Sequence, residues 1–220
     1  MIANLIKAAR AKRWTNVFIA NLRIFVGFAF VPAGLKKVIY QPFTDPQNTG
    51  LFHEFLHAFY ATGPFYQFVG IMQLTVAVLL CSQRFATLGA MLALPLHTAI
   101  MVFCWSTAVY PTAVVATLLF CATVLLLLWD YQKWLAVFAR DDQDTQVDVA
   151  KLAPVIDLAL WRVCGLGILG MYFAVCAAAG GIYRPRGMEP SQPGFYVFPA
   201  MMLLPIVTFI IDQRRYKARQ

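Results

Sequence analysis

Residues 111–129, PTAVVATLLFCATVLLLLW, contain no charged side chain. A helix of that length rises about 28 Å, close to the thickness of the hydrocarbon core of a bilayer. Lipid offers the backbone no hydrogen-bond partners, so such a run must satisfy its own N–H and C=O groups, as a transmembrane helix does. Five further apolar runs of similar reach lie near 17–38, 65–82, 86–105, 155–180 and 195–212. The expectation is an all-α, polytopic membrane helix bundle with six transmembrane helices. Composition agrees: 60% of residues are hydrophobic and 13% charged, and the mean hydropathy is +0.66. A soluble domain is closer to half apolar and about 25% charged.

Three connections are short, which suits antiparallel neighbours. The exceptions are the loop 39–64 and the polar stretch 130–153, which contains RDDQDTQVD. They divide the chain into a four-span unit (1–135) with an N-terminal interfacial helix, a polar linker (136–153), and two further spans with a basic tail (154–220).

The net charge of +8 does not point to nucleic acid, because the basic residues segregate by loop. With the N-terminus in the cytoplasm, twelve lysines and arginines fall inside. Only Lys36, Lys37, Arg184 and Arg186 fall outside, and Arg23 and Arg162 lie within spans. That asymmetry predicts both termini cytoplasmic. Ile2, Leu5, Ile6 and Ala9 recur at helical spacing ahead of the first span, the pattern of a short interfacial helix. The five cysteines are scattered with no C-x-x-C, so no dithiol redox centre is expected.

The loop 39–64 carries LFHEFLH, residues 51–57, a His-Glu-x-x-His pattern. On a helix, His53 and His57 would stand one turn apart beside Glu54, as in zinc-dependent proteases. Leu51, Phe52, Phe55, Leu56 and Phe59 recur on the opposite face, which reads as a second interfacial helix with aromatics at the headgroups. No third ligand is demanded by the sequence, so no zinc is expected. Haem of the bis-histidine type needs two histidines at matching depth. The third histidine, His97, lies deep in a span, so no haem is expected either.

Several stretches resemble the DoxX family of small bacterial membrane proteins over about residues 17–135: LRIFVGFAFVPAGLKKVI, FYATGPFYQFVGIMQLTVAVLLCSQRFATLGAMLALPLH and LLLLWDYQKWL. The matching positions are Arg23, Gly27, Gly34, Lys36 or Lys37, Gly70, Arg84, Gly89, Asp130 and Tyr131. The family's usual glutamate falls on Gln73. The resemblance implies a four-helix core in the bacterial inner membrane. It also implies a membrane subunit of a redox or respiratory assembly, with other membrane subunits as partners and a quinone-contact surface.

Ionisable groups inside a membrane are costly and mark candidate sites. Arg23, Gln73 and His97 are the candidate ligand-binding residues. If their faces meet, they form a polar pocket for a quinone head group or small anion, with Arg23 as donor and His97 as proton carrier. Asp157 and Arg162 are ion-pair candidates. The competing reading makes all five structural: Arg23 snorkels or pairs with Asp157, and Gln73 and His97 bond across helices. The functional expectation is a redox-assembly subunit. A non-catalytic scaffold stands as the alternative, with small-solute transport behind both.

Overall fold

The computed structural model describes residues 2–133, 155–183 and 192–218, so the linker 136–153 lies outside the described residues. Nine α-helices are described. They are α1 (Ile2–Ala11), α2 (Arg13–Ala29), α3 (Val31–Val38), α4 (Leu51–Ala61), α5 (Pro64–Cys81), α6 (Ala86–Ser106), α7 (Tyr110–Trp129), α8 (Leu158–Ala179) and α9 (Val197–Lys217). A 3₁₀ turn, Pro193–Tyr196, leads into α9. Among the described residues six spans are long and apolar enough to cross a membrane, so the protein is a multi-pass helical bundle.

The first span, Arg13–Val38, is built from α2 and α3. Pro32 in the first turn of α3 has no N–H to donate, and the helix breaks at Phe30. The break turns α3 onto α5, where Gly34 and Gly70 let the backbones close. A methyl at Gly70 would fall 2.6 Å from Lys37 Cβ and 2.8 Å from the Gly34 carbonyl oxygen. Close approach between small residues is the usual route to helix association in lipid, where burial of apolar surface supplies little drive.

Span burial grades from 56% in the first span to 11% in Gly194–Lys217, so α2 and α3 form the axis and α9 lies at the edge. Helix α8 docks on α5 at Gly165, where a methyl would fall 2.4 Å from the Cys81 carbonyl oxygen. Val26, Phe30, Val76, Leu80, Leu126 and Trp161 are among the buried core residues. Six spans return the chain to the face it started from: Arg13 of α2 pairs with Asp212 of α9 at 2.7 Å. This end is the terminal face, and the opposite end is the loop face.

Candidate functional site

The three residues expected to share a pocket sit in three separate hydrogen-bonded groups. Helix direction separates Arg23 from Gln73. Side chains lean toward the N-terminus of their own helix. Helix α2 starts at the terminal face, so Arg23 leans that way. Helix α5 starts at the loop face, so Gln73 leans the other way.

Arg23 is buried and its Nη2 donates to Asp130 Oδ2 at 2.5 Å, while Nη1 donates to Gln83 Oε1 at 3.4 Å. Gln83 in turn donates to the Ala20 carbonyl at 3.0 Å. It occupies the turn between α5 and α6 with φ +58, a left-handed conformation costly for a side-chain-bearing residue. Asp130, just past the end of α7, also receives Lys133 at 2.9 Å and Arg10 at 3.5 Å. Arg10 further donates to the Trp129 carbonyl and lies over the Trp129 ring at 5.4 Å. Burial alone would raise the Asp130 carboxyl, but Arg23, Lys133 and Arg10 outweigh it and hold the group below the usual carboxylate range.

The expected Arg23–Asp157 pair is not made. Asp157 caps α8 by accepting from the Ala159 and Leu160 amides, and it receives Arg215 at 2.8 Å. Arg215 holds it below the ordinary carboxylate range. Arg162 donates through Nε to the Ser82 carbonyl at 3.0 Å, which ties α8 to the end of α5.

Gln73 accepts from Lys37 at 3.1 Å. Lys37 stands one residue from the loop-face end of its span, where a lysine ordinarily extends to the headgroups. Here it turns back into the bundle and is buried. Its Nζ donates to the Ala33 carbonyl at 3.3 Å and lies 4.7 Å from the Phe43 ring and 5.8 Å from the Tyr66 ring. Among the described residues no carboxylate pairs with it. Val38 and Leu74, next in sequence to Lys37 and Gln73, line an open apolar groove of about 360 Å³ with Ile71, Thr75, Val78 and Leu79.

His97 stacks on Phe30 with ring centroids 4.4 Å apart, and its Nδ1 bonds Thr123 Oγ1 at 2.8 Å. Thr123 spends its hydroxyl proton on the Leu119 carbonyl, so it accepts from His97 and fixes the Nδ1–H tautomer. Thr123→Val would leave that buried N–H without an acceptor, at about 1–3 kcal/mol. The expected result is a melting temperature several degrees lower in detergent; an unchanged melting curve would remove His97 as a tie between α6 and α7.

The His-Glu-x-x-His segment does form a helix, α4. His53 Nδ1 bonds Thr44 Oγ1 at 2.6 Å, and His57 Nε2 donates to the Asp45 carbonyl at 3.1 Å. Both rings thus pin α4 to the preceding loop, while Glu54 is exposed. On the other face Phe52 and Phe55 lie 5.2 and 4.5 Å from Phe103 of α6. Among the described residues no three metal-ligating side chains come together.

Sequence reasoning had no means to find Gln83, which is an ordinary turn residue until Arg23 reaches it. Asp130 was visible only as a position of a family pattern, and Lys37 as such a position and as one of the outer basic residues, both without their partners. No family model, curated protein or solved structure matches this chain.

Proposed function

We propose that this protein is a bacterial inner-membrane subunit of a redox or respiratory assembly, with its terminal face in the cytoplasm, and that it contacts quinone at Lys37 and Gln73. The observation that carries this reading is the inward-turned Lys37, a buried amine bonded to Gln73 with no carboxylate among the described residues, while their sequence neighbours Val38 and Leu74 line an apolar groove. An ammonium donor matches a quinone carbonyl, and the groove matches an isoprenoid tail. The twelve-to-four bias of lysine and arginine supports the orientation.

Two variants of the purified protein test it, with a short-chain quinone analogue and intrinsic fluorescence as the readout. Lys37→Met removes the donor and should weaken binding at least about tenfold, the worth of one hydrogen bond to a charged group. Gln73→Glu gives Lys37 a carboxylate inside the bundle and should also weaken binding, with no loss of stability. Unchanged binding in both variants would refute the quinone reading.

A non-catalytic scaffold is the second reading, favoured by the internal partners that occupy Arg23 and His97. It expects partner subunits to co-purify with Lys37→Met as they do with the native chain.

A further inference from the structure

The terminal face carries an unmet demand for negative charge. Asp130 is shared by three cations: Arg23 approaches one carboxylate oxygen, and Arg10 and Lys133 approach the other. Two positive charges therefore remain uncompensated among the described residues. Arg23 is 93% buried at its side chain, and Arg10 is 86% buried. Both also hold a buried Nε that finds no acceptor among the described residues. Neighbouring Arg13 also holds a buried Nε without an acceptor among the described residues, but its charge is met: Asp212 balances it one to one and the Tyr216 ring lies 4.7 Å from it.

Like charges crowded at the edge of hydrocarbon repel strongly, and a buried donor without an acceptor forfeits its hydration. One kind of ligand answers both deficits. It must be an anion with several acceptor oxygens, and guanidinium groups match phosphate geometry. The level is that of the headgroups: Arg10 lies on the Trp129 ring, and Trp14 in the first turn of α2 is 71% exposed.

We infer that Arg10, Arg23 and Lys133, arranged around Asp130, form a binding site for a phosphate group, supplied by an anionic phospholipid or by the free ion. The site lies at the opposite end of the bundle from Lys37 and is independent of the quinone reading.

Native mass spectrometry of the detergent-purified full chain, titrated with phosphatidylglycerol or phosphatidylcholine, tests the site. One phosphatidylglycerol should be retained at least about tenfold more tightly than phosphatidylcholine. Arg10→Gln and Lys133→Gln should each reduce that retention about tenfold, with phosphatidylcholine binding unchanged. Lys133 has 43% of its side chain exposed, so Lys133→Gln keeps the test valid if Arg10→Gln does not fold. Displacement of the lipid by millimolar inorganic phosphate assigns the free ion as an occupant, and resistance to displacement assigns the lipid.

Equal retention of the two lipids without phosphate binding, or retention unaffected by both variants, would overturn the proposal. Asp141, Asp142, Asp144 and Asp148 of the linker are the internal competitors for the same charge. If replacing all four by asparagine creates phosphatidylglycerol binding that the native chain lacks, the linker supplies the counter-charge and the site is not a ligand site.

Discussion

Asp130→Ala should destabilise the folded protein by about 3–5 kcal/mol, the cost of removing one partner from a buried ion pair. For a chain of this size that corresponds to a melting temperature lower by roughly 6–20 °C in detergent. The physical cause is what remains. Arg23 and Arg10 stay buried with no carboxylate among the described residues, and Gln83 alone of these still faces Arg23. Lys133 is partly exposed and can turn to water, so Lys133→Ala should cost at most about 1 kcal/mol. Comparable losses in the two variants would show that Asp130 does not hold the terminal face together.

The pH dependence follows from the same cluster. Asp130 titrates below its ordinary value of 3.8 in the folded protein, so the unfolded chain binds its proton more readily. The stability it contributes is complete above the unfolded value and is lost as pH falls through the lower, folded one. Melting temperature should therefore stay flat from neutral pH down to about pH 5 and fall below about pH 4. Asp130→Ala should flatten part of that acid limb. A native curve that already falls between pH 7 and 5 would mean that another group governs it.

Gly165→Val should detach α8 from α5. Its Cβ alone would lie 2.4 Å from the Cys81 carbonyl oxygen, a backbone atom that cannot swing aside as a side chain can. Overpacking of this kind costs about 1–3 kcal/mol, and the two further methyl carbons push toward the upper end. Gly170, one and a half turns along the same helix, has nothing within 4 Å of a built Cβ, so Gly170→Val should be nearly neutral. Thermal melting of the pair in one detergent checks this. Equal losses would show that the α5–α8 contact at Gly165 does not set the cost.

The positions of the spans were legible in the sequence because the bilayer sets them. A run at 111–129 must become something near Tyr110–Trp129, and 65–82 something near Pro64–Cys81, since lipid thickness and backbone hydrogen bonding leave no other solution. The amphipathic spacing of α1 and α4 was legible for a similar reason, as one face must leave water. The break at Phe30 had a signal in Pro32 that the apolar run concealed. The last helix continues to Lys217, past the expected end at 212, because RRYK extends the helix beyond the hydrocarbon where its charges are no longer costly.

Partner choice was a matter for the tertiary structure alone. Arg23 and Asp130 are 107 residues apart, and nothing local prefers Asp130 to Asp157. That choice depends on the rotation of α2 about its axis and on which helix ends share its face. The same holds for Lys37. Two adjacent lysines at the end of a span read as headgroup anchors, but the close Gly34–Gly70 crossing brings α5 alongside. Gln73 and the Ala33 carbonyl then offer acceptors inside the bundle, and Lys37 turns inward to meet them. Hydropathy is a property of segments and survives any arrangement of them, whereas a hydrogen bond between helices exists only once their rotation and crossing are set.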